Sequence, residues 1–158
     1  MNTNNENIDA TLKKIMHFCA YRERCVYEVY LKLKSFGCND PQCIDIIQFL
    51  QKENFIDDER YAKNFAESKF KINKWGKIKI VNALKQKKIS DNIINLSINA
   101  IDPDEYNKLL YNIVEKKIKD LKITEFNETN ILKVQNYALQ KGFEKNLIIN
   151  TIKNIIRK

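Results

Sequence analysis

The sequence is poor in the residues that turn a chain, with 3 glycines and 2 prolines among 158 residues. Tight turns rely on glycine, which accepts a left-handed backbone, and on proline, which fixes the φ angle of a turn. The composition therefore disfavours folds built on many tight turns. It also excludes a collagen-like chain, which needs glycine at every third position.

Long apolar segments are absent as well. No uninterrupted apolar run approaches the roughly 18 residues that a membrane-spanning helix needs, and the mean hydropathy is −0.49. The first seven residues, MNTNNEN, are polar and lack the basic-then-apolar order of a secretory signal. We therefore expect a cytoplasmic protein rather than a secreted or membrane-spanning one.

Metal-binding patterns are scarce. The 4 cysteines form no C-x-x-C pair of the kind that zinc sites use; they are Cys19, Cys25, Cys38 and Cys43. Because nothing indicates export, we interpret them as reduced, mostly buried small hydrophobic residues. Cys25 differs because it occupies a predicted helix N-cap, where a thiolate would be somewhat stabilised.

Catalytic patterns are equally scarce. The only histidine, His17, adjoins an apolar helix stripe, and such a histidine is more often packed than a general base. No Gly-rich phosphate loop, nucleophile elbow or metal-spaced carboxylate set occurs. The acidic residues 57–59 coincide with a predicted helix start, where negative charge is favourable. We therefore predict no enzymatic activity, no catalytic residues, no cofactor and no metal.

What the sequence does contain is helical periodicity along nearly its whole length. Apolar residues recur three and four positions apart, as in Leu12, Ile15, Met16 and Cys19, and nine amphipathic segments result. Asp40-Pro41 and Asp102-Pro103 each indicate an N-cap followed by proline in the first helical position, and Asp57 and Ser90 are further N-cap candidates. The pattern predicts an all-α fold.

The nine segments fall into a repeated order. Three times a helix ends, a short break follows with an apolar residue (Cys38, Ile89 or Phe143), and another helix begins. We predict three tandem three-helix repeats, at residues 8–54, 55–101 and 102–158. Because each unit is too small to bury its apolar faces well alone, neighbours should stack into an elongated, curved array.

The positive charge is concentrated in one window. The net charge is +8, from 28 basic and 20 acidic residues, and residues 69–88 contain eight lysines and no acidic residue. This window therefore accounts for the whole net charge. The candidate partner- or nucleic-acid-binding residues are its lysines and the only tryptophan: Lys69, Lys71, Lys74, Trp75, Lys77, Lys79, Lys85, Lys87 and Lys88.

This basic window has several interpretations. Lysines that neutralise phosphates release counterions and so bind nucleic acids, and Trp75 could stack on a base. The same charge could fit an acidic groove on a protein partner or form a solvated face, and Trp75 could be a structural plug between helices. In the helix after Gly76 the lysines flank the apolar stripe on both sides, so one flat patch does not follow from the spacing.

Four segments together resemble the RecX family of recombinase regulators. The most specific is residues 55–62 (FIDDERYA), which is similar to the family's element at the start of its second unit. Residues 74–80 (KWGKIKI) resemble the family's glycine turn, residues 84–89 (LKQKKI) its following helix end, and residues 22–29 (RERCVYEV) its R-x-x-S-x-x-E-[LV] segment. The resemblance runs across residues 10–158.

The resemblance implies a small, cytoplasmic bacterial protein of three tandem three-helix repeats, and we expect it to be a monomer. The family binds the RecA recombinase, in the groove of the RecA–single-stranded DNA filament. It inhibits ATP hydrolysis and strand exchange, and so moderates recombination and the SOS response. The basic middle unit would then face the filament or its single-stranded DNA. No cofactor and no chemistry of its own are implied.

Three departures from the family pattern are visible. Cys25 replaces the usual serine at a helix N-cap, which weakens that cap by a few tenths to about 1 kcal/mol. Lys88 stands where many relatives have glycine, and the middle unit is rich in lysine where relatives are often rich in arginine. Two alternatives stay open: a nucleic-acid-binding helical protein that acts without RecA, and a protein–protein scaffold.

Overall fold

The computed structural model describes the backbone of residues 3–157 and the side chains of residues 8–157. Within residues 3–157 the chain forms nine helices and no strand. The helices are α1 (Thr3–Tyr21), α2 (Val26–Ser35), α3 (Asp40–Lys52), α4 (Asp58–Lys71), α5 (Lys77–Gln86), α6 (Asp91–Asn99), α7 (Pro103–Asp120), α8 (Glu128–Gln140) and α9 (Lys145–Ile156). The predicted all-α fold is confirmed. None of these helices is long and apolar enough to cross a membrane.

Side-chain caps explain where several helices begin. The Asp57 carboxylate accepts a hydrogen bond from the Arg60 backbone N–H at 2.9 Å, and Asp102 accepts one from Glu105 at 2.8 Å. These two predicted N-caps are confirmed. Each cap satisfies one of the backbone N–H groups that the first helical turn leaves without a partner.

The predicted N-cap at Asp40 is wrong by one residue. Asn39 is the N-cap of α3, because its side chain accepts from the Gln42 backbone N–H while the Gln42 side chain accepts from the Asn39 N–H. Asp40 and Pro41 both lie in the first turn. Ser90 occupies the N-cap position of α6 without a side-chain cap hydrogen bond.

The repeated break between helices has a common backbone geometry. A residue with left-handed φ precedes each apolar residue of the break: Gly37 (φ 85°), Lys88 (φ 59°) and Gly142 (φ 93°). The N–H of each following residue then donates back into the preceding helix, from Cys38 to Leu33, Ile89 to Leu84 and Phe143 to Ala138. This Schellman-type ending closes a helix and turns the chain. Lys88 adopts the left-handed conformation although it is not glycine.

The helices pack most extensively within three consecutive sets, α1–α3, α4–α6 and α7–α9. The first set has a hydrophobic core of its own, whereas the second and third sets share one core that Tyr106 and Phe143 help to fill. The first set thus buries most of its apolar residues in its own core, while Cys25 packs into the core of the other two sets. The core of the first set is completed by Ile56, which follows α3 and is 1% exposed. The residue limits of the repeats and the curvature of the array stay predictions.

The first and second sets meet at what we call the first joint. The backbone N–H of Val26, in the first turn of α2, donates to the Asp58 carboxylate of α4 at 2.8 Å. The Glu28 carboxylate accepts from the Cys25 backbone N–H at 3.3 Å and pairs with Lys87 at 2.8 Å. Charged side chains therefore make the polar contacts of this joint, and the buried Cys25 side chain extends into the core of the other two sets.

The second and third sets meet at what we call the second joint. Here the backbone N–H of Gly76 donates to the Lys141 carbonyl at 2.7 Å, and that of Ile78 to the Gly142 carbonyl at 3.0 Å. A Cβ on Gly76 would overlap the Gly142 carbonyl group, and a Cβ on Gly142 would overlap the Lys79 side chain. The two glycines therefore permit direct backbone contact between the sets.

A buried tyrosine completes the second joint. The hydroxyl of Tyr106, which is 3% exposed, accepts from the Lys77 backbone N–H at 3.0 Å and donates to the Glu144 carboxylate at 2.6 Å. Burial and the hydrogen bond to Glu144 raise the pKa of this hydroxyl. The first N–H groups of α5 are thus satisfied by α7 and by the α8–α9 turn.

Helix α5 connects the two joints. Its N-terminus lies in the second joint, and Lys87, its C-cap residue, lies in the first. With ten residues, α5 is about 15 Å long. The part of the basic window that forms α5 is therefore held at both ends by neighbouring helical sets.

Candidate functional site

The eight lysines of the basic window do not form one patch. On α5, Lys77 and Lys85 are eight residues apart and share one flank of the helix, while Lys79 and Lys87 share the other. Ile80 and Leu84, which are fully buried, lie between the two flanks. The arrangement on two sides of the apolar stripe is as the sequence predicted.

One flank carries an aromatic ring with two cations. The Nζ atoms of Lys69 and Lys79 lie 5.0 and 4.7 Å from the ring centroid of Trp75, and Lys69 Nζ is also 5.3 Å from the Phe65 ring. These are cation–π distances. We call the surface formed by Phe65, Lys69, Trp75 and Lys79 the Trp75 face.

Trp75 is half-buried on this face. One part of its side chain packs against the core shared by the second and third sets. The rest is accessible beside the two lysines. Its structural role as a plug and a role as a surface for a ligand are therefore compatible.

A groove of about 380 Å³ continues the Trp75 face towards the first joint. Phe65, Lys69 and Lys87 line it together with Arg22 from the first helical set and Tyr61 from α4. Its carboxylates include Glu28, which pairs with Lys87. Lys87 therefore reaches the same side of the molecule as Lys69, but its charge is partly compensated.

The other lysines of the window lie elsewhere or are engaged by different partners. Lys71 pairs with Glu67 at 2.7 Å, and Lys85 lies 3.7 Å from Asp91. The remaining contacts are those of Lys74, whose Nζ donates to the Lys71 carbonyl at 2.6 Å, and of Lys77, whose Nζ is 4.8 Å from the Tyr106 ring. Lys88 provides the left-handed turn. Of the predicted set, the structure thus brings Lys69, Trp75, Lys79 and, through the groove, Lys87 together.

Two expectations about single residues are wrong. Cys25 is fully buried, and burial raises the pKa of its thiol to about 11, so its position at a helix N-cap does not produce a stabilised thiolate. The Glu28 carboxylate accepts from the Cys25 backbone N–H, which is the reciprocal half of a capping box at the start of α2. His17 is exposed on α1 rather than packed.

The other cysteines are free thiols. Burial raises the pKa of Cys19 to about 11 and raises that of Cys43 as well. Across the side chains that the structure describes, no group of three or more His, Cys, Asp or Glu is placed to hold a metal ion.

Asp58 has a role that the sequence pattern did not indicate. Its position at the start of α4 suggested a favourable charge at the end of its own helix. In the structure its carboxylate instead accepts from Val26 and so caps α2, 32 residues earlier in the chain. Burial raises the pKa of Asp58 although the hydrogen bond from Val26 opposes this shift. No local signal marks such a long-range cap.

Comparison with known proteins identifies the same middle region. A family model described as RecX, second three-helix domain, matches residues 57–96. The chain is 33% identical over 132 residues to a "Regulatory protein RecX" of Clostridium tetani, which covers 83% of this chain and 58% of the relative. It is 32% identical over 131 residues to one of Clostridium acetobutylicum, covering 81% and 60%. The chain thus spans somewhat more than half the length of these relatives.

Solved structures share the fold. The crystal structure of RecX from Lactobacillus salivarius superposes with a TM-score of 0.88 at 21% sequence identity, covering 98% of this chain and 99% of that one. A second crystal structure, of a regulatory protein RecX, gives a TM-score of 0.81 at 20% identity, covering 91% and 72%. The sequence similarity, the match to the second three-helix domain and the shared arrangement of helices agree, and the chain belongs to the RecX family.

Proposed function

We propose that this protein is a non-enzymatic, monomeric regulator that acts in the cytoplasm by binding the RecA–single-stranded DNA filament. In the groove of the filament it would inhibit ATP hydrolysis and strand exchange, and so moderate recombination and the SOS response. The observation that carries the proposal is the similarity of about four fifths of the chain to proteins named Regulatory protein RecX.

The geometry of the middle set supports this proposal. The Trp75 face offers cations beside aromatic rings, which suits contact with phosphates and unstacked bases. Because α5 is fixed at both joints, this face has a defined position relative to the first and third helical sets. A ligand that binds one state of a filament more tightly than the others shifts the population towards that state, which would slow the ATPase cycle.

The direct test uses RecA from the same organism assembled on single-stranded DNA. Excess protein should suppress both ATP hydrolysis and strand exchange. A Lys69→Glu/Lys79→Glu variant should lose about tenfold or more in inhibitory potency, because two cations of the Trp75 face become anions. If RecA keeps full activity with excess wild-type protein, the proposed function is wrong.

A matched control is available on the same two helices. Lys63→Glu/Lys85→Glu changes the net charge by the same amount as Lys69→Glu/Lys79→Glu, and it also changes one lysine on α4 and one on α5. Both residues lie away from the Trp75 face. This variant should inhibit RecA nearly as well as the wild type. An equal loss of inhibitory potency in both variants would show that inhibition of RecA depends only on net charge.

The second candidate function is nucleic-acid binding without RecA. The pairing of Lys69 and Lys79 with the Trp75 ring favours it, because single-strand binders combine cations with stacking rings. It predicts tight binding to bare DNA with a steep salt dependence, near −0.7 per neutralised phosphate for single strands. Weak binding to bare DNA together with inhibition of the filament would exclude it, and binding to RecA without DNA would favour the protein–protein scaffold.

A further inference from the structure

We infer that the surface for single-stranded nucleic acid continues from the Trp75 face across the second joint to a second cation–aromatic cluster in the third helical set, formed by Lys117, Tyr137 and Lys141. The inference rests on the proposed contact with single-stranded DNA and extends it to residues outside the basic window. The site would be incomplete without the third set.

The second cluster repeats the arrangement around Trp75. The Nζ atoms of Lys117 and Lys141 lie 4.5 and 5.7 Å from the ring centroid of Tyr137. Lys117 comes from α7, and Tyr137 and Lys141 come from α8 and its C-cap. All three side chains are half-buried, so each keeps part of its surface accessible.

The two clusters are neighbours in the structure. Lys79 Nζ, which lies beside Trp75, also donates to the Gln140 carbonyl at 3.4 Å, and Gln140 directly precedes Lys141. The backbone N–H of Gly76, next to Trp75, donates to the Lys141 carbonyl at 2.7 Å. A backbone hydrogen bond therefore fixes one cluster beside the other.

We call the surface formed by the Trp75 face together with Lys117, Tyr137 and Lys141 the band. The positive charges of its lysines are available to a polyanion. Lys69, Lys79, Lys117 and Lys141 contact rings or main-chain oxygens, and the salt bridges among the described side chains involve other lysines. The neighbouring Glu144 carboxylate accepts from the Tyr106 hydroxyl at 2.6 Å and forms no salt bridge with these four lysines. The electrostatics of the band therefore favour a negatively charged ligand.

The rings favour a nucleic acid over an acidic polypeptide. Acidic side chains would use the ammonium groups but would leave the faces of Trp75 and Tyr137 unused. A single strand supplies a phosphate for each cation and a base for each ring, and each base–aromatic stack adds to the affinity. As a base stacks on the ring, the lysine beside it can turn from the ring to the phosphate.

The only tryptophan of the chain makes the test direct, because its fluorescence reports on the Trp75 face. The full-length protein is titrated at low salt with oligo(dT) of about 4 and about 16 nucleotides, both within the range of site sizes of single-strand binders. Both oligonucleotides should quench Trp75. Lys117→Glu/Lys141→Glu should bind the longer one about tenfold or more weakly and should bind the shorter one as the wild type does.

Three further variants separate stacking from charge and folding. Tyr137→Leu keeps apolar bulk without an aromatic face, and should weaken binding of the longer oligonucleotide about five- to fiftyfold. Tyr137→Phe keeps the ring and should bind like the wild type. Lys108→Glu/Lys153→Glu, a control with the same charge change on exposed lysines of the third set, should have a much smaller effect.

Several results would overturn the inference. One is unchanged binding of the longer oligonucleotide by Lys117→Glu/Lys141→Glu, and another is the absence of Trp75 quenching by any oligonucleotide. Equal quenching by polyglutamate, with the same salt dependence, would instead assign the band to an acidic protein. None of these results depends on RecA, so the ATPase assay judges the proposed function separately.

Discussion

The two joints of the molecule are held together by different interactions. At the first joint the main polar contacts each involve a charged side chain, Asp58, Glu28 or Lys87. At the second joint the backbone of Gly76 and Ile78 contacts the α8–α9 turn directly, and the two helical sets share one core. Charged side chains can be screened or titrated, whereas backbone contacts over a shared core cannot. The first joint should therefore respond to salt and pH, and the second should respond to changes of shape.

The largest effect is expected at the glycines of the second joint. Gly142→Ala would place a Cβ 2.7 Å from the Lys79 backbone nitrogen, on a backbone with φ +93°. Overpacking and left-handed strain together should lower the free energy of unfolding by about 3 kcal/mol, measured by urea denaturation followed by circular dichroism.

Gly37→Ala is the matched control, because Gly37 has φ +85° but has open space around its Cβ position. Its free energy of unfolding should fall only by the cost of a left-handed backbone at a residue other than glycine, about 1 kcal/mol. Equal losses in the two variants would mean that the close contact at the second joint contributes nothing.

A smaller effect is expected from the tyrosine of the same joint. Tyr106→Phe removes the acceptor of the Lys77 N–H and the donor to Glu144 in a buried site. The free energy of unfolding should fall by about 2 kcal/mol, because the Lys77 N–H would be left unsatisfied. Tyr30→Phe removes a hydroxyl that contacts Asp40 at the surface, and thermal denaturation should show no measurable change. A stable Tyr106→Phe protein would show that water replaces the hydroxyl.

The smallest of these effects is expected at the first joint, where Glu28→Gln should cost about 1 kcal/mol at pH 7 and low salt. Burial alone would raise the pKa of Glu28, but hydrogen bonds from Lys87 and Cys25 and the charges of Lys87 and Arg24 hold it below its usual value of 4.5. Because the folded-state pKa is lower than the unfolded one, the contribution is present above about pH 4.5 and is lost as the pH falls through the folded-state pKa.

The difference in free energy of unfolding between wild type and Glu28→Gln isolates the contribution of Glu28. Asp58, whose pKa is raised, is present in both proteins and does not affect this difference. Urea denaturation at pH 7 and at acidic pH should show the difference shrinking with acid, and 1 M salt should reduce it as well. Glu67→Gln, at an exposed pair with Lys71, should show no measurable difference under any of these conditions. A pH-independent difference would mean that Glu28 acts through packing rather than charge.

The sequence predicted local features well, because their causes are local. Helical periodicity, the caps at Asp57 and Asp102 and the repeated break before Cys38, Ile89 and Phe143 depend on residues a few positions apart. The RecX resemblance, carried by short segments in a fixed order, was confirmed for the same reason. The pKa of Cys25 was not predictable, since an N-cap position favours the thiolate while burial, which is set by distant helices, disfavours it.

The basic window includes contacts that could not be predicted from the sequence. The eight lysines of residues 69–88 were visible as a set, and the spacing of those on α5 divided them between two flanks. The sequence could not show which rings and which carboxylates would approach each lysine. Lys87 is paired by Glu28, a residue 59 positions away, while Lys69 and Lys79 contact the Trp75 ring. The packing of the helices therefore decided which residues form the Trp75 face.

The sequence by itself determined the helices, their grouping in threes and the concentration of charge in the middle set, because periodicity, capping and composition act over short distances along the chain. Only the tertiary structure decided that Gly76 meets Gly142, that Asp58 caps α2 and that Lys79, beside Trp75, contacts the Gln140 carbonyl of the third set. These contacts join residues 32 or more positions apart, and they exist only after the helical sets have packed against each other.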